Sequence, residues 1–278
     1  MKAAPFAYER PRDMSAALAA MSRTEGTIKI MAGGQSLGPM LNLRLVAPDL
    51  VIDITGLAEL KHVERAGDEL VIGACVTHAD IEDGRIPDVT RGAMQRVAGA
   101  IAYRAVRNRG TIGGSLSHAD PSADWVTALS ALRARLTLRS KDGLRHVAME
   151  DFILGALETS LRSGEIVEAV RIPVVGASAR WGYAKSCRKA GEFAHAISAV
   201  LIDLEAASMR VVIGALDAAP IIIGNASGLF GGRIDGNFVS RFDPQVAETL
   251  LRKAGITDAA DRHIHLAVLR RALAEAAA

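Results

Sequence analysis

The stretch Met31–Arg44, MAGGQSLGPMLNLR, is the part of the chain around which the rest is organised. The apolar run Ile28–Met31 leads into it and predicts a buried strand that stops at Gly33 and Gly34. Two adjacent glycines let the backbone turn with positive φ and let its amides lie against a ligand. Exposed N–H groups in such a turn form a concavity that suits an anion, above all a phosphate. The alternative is a tight turn without a ligand, which is the commoner role of a Gly-Gly pair after a strand.

A second segment of the same type, RGTIGGS, covers Arg109–Ser115. It is interpreted as a loop, and it again combines two glycines with hydroxyl-bearing residues. Neither segment has the G-x-G-x-x-G or G-x-x-x-x-G-K-[ST] pattern of common nucleotide sites, and neither pattern occurs elsewhere in the chain. Two glycine segments without such a fingerprint point to a dinucleotide site outside the two common classes that these patterns define.

These residues resemble the flavoprotein subunits of the molybdenum hydroxylases, the family of xanthine dehydrogenase, carbon monoxide dehydrogenase and the N-heterocycle dehydrogenases. AGGQSL, followed by PMLNLRL and by a strand that ends in an acid, VIDI, is similar to the family's first FAD segment. RNRGTIGGSLSHADPSAD is similar to the second. The similarity continues through EIVEAVRIP, YAKSCRKAGEFA and HLAVLRRALAEA, so it covers nearly the whole chain.

The resemblance implies an α+β fold. A two-part FAD-binding domain of the vanillyl-alcohol-oxidase (PCMH-like) type would precede a C-terminal β-sheet domain backed by helices. We expect residues 1–56 to form the first FAD-binding subdomain and 57–175 the second, with 176–278 as the C-terminal domain. The boundary follows from the stretch Pro173–Ala179, where VVGAS interrupts the β-rich pattern.

Apolar periodicity and turn signals place the helices and strands. Asp13 is a plausible helix N-cap, and Thr77 with Asp80 resembles a capping box. The predicted helices are 11–21, one after Thr77, one with Met94, Val97 and Ala98 on a common face that runs into Ile101 and Tyr103, 122–132, 244–253 and 262–278. The predicted strands are 50–54, 70–73, a hairpin of 135–138 with 144–148, and then 166–172, 181–186, 195–204 and 210–216.

The composition excludes several classes of function. The net charge is only +2, so no broad basic field favours nucleic acid as the main partner. No apolar run reaches the ~18 residues that a membrane span needs. Charges interrupt the first ten residues, which do not form a signal-peptide apolar region, and we expect a cytoplasmic protein.

The cysteine count limits the redox chemistry. The chain has two cysteines, Cys75 and Cys187, and a [2Fe–2S] cluster needs about four thiolates. No His/Cys cluster has zinc spacing, so no metal ligand is assigned. Cys75 lies in an apolar stretch and is predicted to be a small core residue.

The resemblance implies FAD as the cofactor and assigns its contacts. Gln35 is not nucleophilic and stands where a histidine carries covalently attached FAD in the wider superfamily, so attachment is expected to be noncovalent. No catalytic residue is assigned. The implied FAD contacts are Met31, Ala32, Gly33, Gly34, Gln35, Ser36, Leu37, Ile101, Gly110, Thr111, Gly113, Gly114, Ser115, Asp120, Asp124, Val167, Lys185 and Phe193.

Several of these residues have an alternative role. Asp124 would meet a ribose hydroxyl, or it would stabilise the first turn of a helix. Lys185, in the family's Y-x-K motif, would lie near the isoalloxazine ring, or it would be a solvated strand lysine. Val167 would pack near the cofactor or only in the core, whereas Phe193 would cover one face of the flavin. Ser115 replaces the asparagine of most relatives and has a shorter reach.

Two polar residues follow the second segment. Asp120 is interpreted as an N-cap or loop residue with a possible flavin contact, and His118 as a polar loop residue.

The preferred function is that of an electron-transfer flavoprotein subunit. A large partner would carry the molybdenum cofactor, a small partner would carry two [2Fe–2S] clusters, and FAD here would pass the electrons to an external acceptor. The complex is expected to be a dimer of heterotrimers. The alternatives are a self-sufficient FAD-dependent oxidoreductase and a non-catalytic assembly subunit whose glycine segments are only structural.

Overall fold

Three short parallel strands at the N-terminus end beside the first glycine segment. The computed structural model describes residues 2–23 and 25–278. β1 (Ala7–Glu9) and β2 (Ile28–Met31) both pair with β3 (Leu50–Asp53), the central strand of this sheet. β2 has the predicted bounds, but its side chains are only partly buried and the prediction of a buried strand is wrong. The reason is its position at the edge of a sheet of only three strands.

Two helices connect these strands. α1 (Met14–Arg23) lies between β1 and β2, and α2 (Leu37–Asn42) lies between β2 and β3. The Asp13 Oδ1 accepts a hydrogen bond from Ala16 N at 2.7 Å, which confirms Asp13 as the N-terminal cap of α1.

The second sheet has five antiparallel strands, one of which comes from a distant part of the chain. When the strands are counted from the N-terminus, their order across this sheet is fourth, fifth, tenth, sixth and seventh. The central strand is therefore the one of these five that comes last along the chain. The predicted hairpin is confirmed, with both strands longer than predicted, and a separate small hairpin follows it. The strands of this region are β4 (Val63–Ala66), β5 (Glu69–Gly73), β6 (Arg135–Ser140), β7 (Gly143–Ala148), β8 (Ile153–Gly155), β9 (Glu158–Thr159) and β10 (Ile166–Pro173).

Short helices surround the second sheet. The capping box of Thr77 and Asp80 is confirmed, because each side chain accepts from the other's backbone N–H. A 3-10 turn, Ala58–Lys61, lies before β4. The helices are α3 (His78–Glu82), α4 (Ala93–Ala100), α5 (Arg104–Arg107), α6 (Ile112–His118), α7 (Asp124–Ala131) and α8 (Met149–Phe152).

The C-terminal part is an antiparallel sheet followed by helices. Its four strands pair in chain order. They are β11 (Ala179–Ser186), β12 (Ala196–Asp203), β13 (Ser208–Gly214) and β14 (Ile221–Ile223). The 3-10 turns Ala226–Phe230 and Phe238–Arg241, then α9 (Pro244–Lys253) and α10 (Ala259–Ala277), complete the chain. Across the described ranges, no helix has both the length and the apolar character needed to cross a membrane.

The two faces of this last sheet belong to different cores. On β12, Ile197 and Ala199 pack into the main core with α7, whereas Val200 and Ile202 pack into a second core with α10. This is the period-two alternation of a strand covered on both faces. The prediction of a sheet backed by C-terminal helices is therefore confirmed for the face that carries Val200 and Ile202. The other face is covered by α7, which belongs to the preceding part of the chain.

We predict that Gly182→Ala destabilises the protein. A Cβ at Gly182 on β11 would overlap the carbonyl oxygen of Ala272 on α10 and would lie 2.8 Å from Ala276 N. Overpacking of this kind costs about 1–3 kcal/mol or more. Urea unfolding should show a lower midpoint for Gly182→Ala, whereas Gly228→Ala, with no neighbouring atom within 4 Å, should unfold like the wild type. Equal midpoints for all three proteins would contradict the close packing of α10 on β11.

Candidate functional site

The first glycine segment is a turn that runs directly into a short helix. Gly34 has a φ of +72°, and α2 begins three residues later at Leu37. Ser36 is the N-cap of α2, but its side chain makes no capping hydrogen bond. Among the described residues, no acceptor is found for the amides of Gly34 through Leu37. Free amides at the start of a helix are donors suited to an anionic ligand.

The second glycine segment is also a helix start, so its interpretation as a loop is wrong from residue 112 onward. Thr111 is the N-cap of α6, and its Oγ1 accepts from Gly114 N at 3.1 Å. The helix is held by backbone hydrogen bonds from Ile112 N to Val76 O and from Gly113 N to Ala74 O. His118, interpreted as a loop residue, is the last residue of this helix.

The two glycine segments are in direct backbone contact. A Cβ at Gly33 would overlap the carbonyl oxygen of Arg109 and lie 2.8 Å from Gly110 Cα. A Cβ at Gly114 would lie 3.5 Å from the Ala32 Cβ. Gly34 differs, since a Cβ there would meet only the Met31 side chain, at 3.6 Å or more. Gly33 therefore permits the contact between segments, and Gly34 supplies the left-handed turn.

The arginines that precede the second segment are bound by carboxylates. Arg104 pairs with Asp83 at 2.6 Å and with Glu82 at 2.9 Å. Arg107 Nε pairs with Glu82 at 2.8 Å, and its Nη1 donates to the Ile101 carbonyl at 2.8 Å. Both cations are thus paired within the chain, and Arg107 also holds the backbone that follows α4. No local sequence pattern reveals the partners of Arg107, because they are a carboxylate 25 residues away and two backbone carbonyls.

His78 is a buried neutral imidazole next to the second segment. Its Nδ1 accepts a hydrogen bond from the Trp125 Nε1 at 3.1 Å, and a Cβ at Gly110 would lie 2.9 Å from its Nε2. Burial, with a smaller contribution from Arg107, lowers the pKa of His78 to about 4. Nothing in the local sequence pattern distinguishes this histidine from the others.

Lys185 is not a solvated strand lysine. Its side chain is 13% exposed, and its Nζ donates to Asp124 Oδ1 at 2.8 Å and to the Ala100 carbonyl at 2.7 Å. Tyr183 donates to the same Asp124 oxygen. Burial, together with the Asp124 carboxylate, raises the pKa of Tyr183 well above its ordinary value. The spacing of Tyr183 and Lys185, two residues apart on one strand, is a signal that could have found this cluster.

Asp124 and Asp120 have clear structural partners. Asp124 is the first residue of α7, which agrees with the first-turn alternative and adds the Lys185 contact. The Asp120 Oδ1 accepts from Ser122 N at 2.9 Å, so Asp120 forms a turn before α7 and is not its N-cap.

The remaining predicted residues fall into buried and exposed positions. Val167 is 3% exposed in the core on β10, and the next residue, Glu168, accepts from Ala74 N beside the second segment. Phe193 is 72% exposed, and its neighbour Ala194 accepts a hydrogen bond from Ser122 Oγ at 3.1 Å. The structure thus brings the two glycine segments, residues 31–37 and 109–115, into contact, and we call this pair the cradle. It also places Ile101, Asp124 and Lys185 together beside α4. Within the described ranges, no group of three or more His, Cys, Asp or Glu side chains is arranged to hold a metal ion.

Comparison with known proteins identifies the family of this chain. Residues 4–175, more than half of the chain, match the family described as the FAD binding domain in molybdopterin dehydrogenase. The chain belongs to this family. Its relatives include the caffeine dehydrogenase subunit beta of Pseudomonas sp. (strain CBB1), which is 35% identical over 80% of this chain and 76% of that subunit. The carbon monoxide dehydrogenase medium chain of Hydrogenophaga pseudoflava is 34% identical over 71% of this chain and 69% of that one.

The fold of this medium-type FAD subunit agrees with a solved relative. Carbon monoxide dehydrogenase from Hydrogenophaga pseudoflava, in a form lacking the Mo-pyranopterin moiety of its molybdenum cofactor, superposes with a TM-score of 0.85 at 28% identity. The match covers 99% of this chain and 98% of that chain. The α+β fold with an FAD-binding part is thereby confirmed.

The residues of the cradle fit FAD. A dinucleotide carries two phosphates, and the free amides at the start of α2 can donate to them without a cationic side chain. The absence of a Cβ atom at Gly33 leaves the backbones of both segments side by side. The chain is therefore an FAD-binding oxidoreductase subunit.

We predict that Gly33→Ala weakens FAD binding. The added methyl group would push the first segment away from Arg109, so the two sets of donors would no longer face one diphosphate. Titration of the apoprotein with FAD should show a dissociation constant raised at least about tenfold, equivalent to 1.4 kcal/mol. Gly38→Ala in α2, with no atom within 4 Å, is the matched control and should bind normally.

Gly34→Val tests the same cradle without a clash against the second segment. A β-branched residue at a φ of +72° is strained locally, and the core does not contact this position. The variant should stay folded by circular dichroism and lose FAD. Wild-type affinity in both Gly33→Ala and Gly34→Val would show that the phosphates bind elsewhere.

We also predict that His78 makes stability depend on pH. Its pKa falls from 6.5 to about 4 on folding, so its contribution is complete above pH 6.5 and is lost as the pH falls towards about 4. The loss is roughly 3 kcal/mol at 1.36 kcal/mol per pKa unit. Unfolding free energies from about pH 7 to about pH 4.5 should fall more steeply for the wild type than for His78→Gln. Parallel curves would indicate that the pKa of His78 is the same in the folded and unfolded states.

Proposed function

We propose that this FAD subunit transfers electrons within a molybdenum-containing dehydrogenase, from [2Fe–2S] clusters on a partner to an external acceptor. The observation that carries the proposal is the backbone contact between the two glycine segments, which would form one FAD cradle from two distant parts of the chain. FAD, when bound, supplies a group that accepts electrons singly and releases them in pairs.

The residues of the cradle would hold the diphosphate of FAD. The donors would be the amides of residues 34–37 and the side chains of Gln35, Ser36, Thr111 and Ser115, with Met31, Ala32, Gly33, Gly110, Gly113 and Gly114 shaping the backbone around them. Because Gln35 is not a nucleophile, binding at this position would be noncovalent.

A second set of residues would surround the flavin and its ribose. Lys185 would lie near the isoalloxazine ring, with Phe193 covering one face. The partners of Lys185 at Ala100 and Asp124 place its ammonium at the junction of α4 and α7. Ile101, Asp120, Asp124 and Val167 are the further proposed contacts.

The electrons must come from outside this chain. Cys75 is buried, and burial raises the pKa of its thiol to about 11, so it is a poor metal ligand. Cys187 alone cannot hold a cluster. Relatives named as a medium chain or subunit support an assembly with an iron–sulfur small subunit and a molybdenum-cofactor large subunit. We propose a dimer of such heterotrimers, working in the cytoplasm, where unpaired cysteines such as these are common.

We predict that the isolated FAD-loaded chain is not reduced by an organic substrate. The described residues hold no cluster of metal-binding side chains, whereas the partners would supply both the molybdenum site and the clusters. Anaerobic stopped-flow at the flavin absorbance should show no bleaching of the chain alone with caffeine or carbon monoxide, the substrates named in its relatives. The assembled complex should bleach rapidly with the substrate that its own large subunit oxidises.

Two controls separate the alternatives. Dithionite should bleach the isolated chain, and acid should release all of its flavin as FAD. Rapid bleaching of the chain alone by an organic substrate would favour a self-sufficient oxidoreductase. A chain that never binds flavin, even with FAD in excess, would favour a non-catalytic assembly subunit.

A further inference from the structure

The charge of Lys185 is matched by one nearby carboxylate. The Lys185 and Asp124 side chains are 13% and 10% exposed, and their charged atoms are 2.8 Å apart. Charges with so little water around them interact more strongly than a surface pair. Two of the three N–H donors of Lys185 are used by Asp124 and by the Ala100 carbonyl at the end of α4. One donor is left for a ligand.

Tyr183 fixes the orientation of that carboxylate. Its hydroxyl donates to Asp124 on α7. Its backbone N donates to the Glu275 carboxylate on α10 at 3.1 Å, and its carbonyl accepts from Arg96 on α4 at 3.2 Å. Arg96 and Glu275 also pair with each other. The tyrosine is therefore held by three helices, and the position of Asp124 follows from it.

We propose that Asp124, oriented by Tyr183, is a positioning residue that holds the Lys185 ammonium in place and offsets its charge, so that the pair sets the reduction potential of the bound FAD. This inference rests on the proposed FAD site. A lone buried cation would stabilise the added negative charge of a reduced cofactor. A carboxylate in contact with that cation turns the charge into a dipole, whose field falls off faster with distance.

The competing explanation is that the cluster is only a structural tie between α4, α7 and β11. The two explanations predict different signs for the shifts of the reduction potential in the two single variants. Removing a structural tie disturbs the site in the same way whichever partner is removed, whereas removing one charge of a pair shifts the potential in the direction of the charge that remains.

The test is a reductive titration of the FAD-loaded chain against reference dyes. Asp124→Asn should shift the midpoint potential to more positive values, and Lys185→Met should shift it to more negative values. The double variant should lie between them, close to the wild type. Tyr183→Phe leaves more negative charge on Asp124 and should not shift the potential upward. Glu165→Gln, which breaks the Arg145–Glu165 pair in another part of the fold, is the matched control and should leave the potential unchanged.

A second measurement does not need FAD. In the apoprotein, Asp124→Asn and Lys185→Met each leave an unpaired buried charge or donor, so the double variant should melt at a higher temperature than the less stable single variant. Potential shifts of the same sign in both single variants would overturn the proposal, as would fully additive losses of melting temperature. Because Asp124 is also a proposed FAD contact, the potentials are measured with FAD in excess, and an Asp124→Asn potential equal to that of the wild type would also overturn the proposal. A wild-type chain without flavin would instead refute the proposed function.

Discussion

The structure depends on a place where two backbones touch. The main chain at Gly33 lies against Arg109 and Gly110 so closely that any side chain would overlap it. This contact brings the starts of α2 and α6 together, although about 75 residues of chain separate them. The second segment is in turn held on residues 74–78 by backbone hydrogen bonds. The geometry of the two glycine segments thus depends on the absence of a side chain at Gly33 and on backbone hydrogen bonds.

A second close contact joins the C-terminal sheet to the rest of the chain. Gly182 on β11 lies against α10, and a Cβ at Gly214 on β13 would overlap the Thr127 side chain of α7. The sheet therefore contributes to two cores at once, one on each face. Because of this packing, Lys185 on β11 reaches α4 and α7. The C-terminal part therefore supplies the cation that pairs with Asp124.

The segment after α4 is held by cations from two other elements. Lys185 binds the Ala100 carbonyl, and Arg107 binds the carbonyls of Ile101 and Ala102. Cations at the end of a helix are favourable because the last carbonyls lack helical partners. Ala102 has a φ of +41°, which an alanine adopts only when its surroundings hold it there. These bonds fix the backbone at Ile101, which is one of the proposed flavin contacts.

The sequence by itself determined the features that depend on neighbouring residues. The bounds of β2, the Thr77 capping box, the hairpin of β6 and β7, and the two glycine motifs that indicate FAD are all local patterns. Only the tertiary structure decided which glycine permits the contact between segments, that the second segment starts a helix against Ala74, and that β2 is only half-buried. It also paired Lys185 with Asp124 and His78 with Trp125. Periodicity reports which face of an element is apolar, but it carries no information about which distant residue that face meets. The charge state and partners of a buried side chain depend on that distant residue.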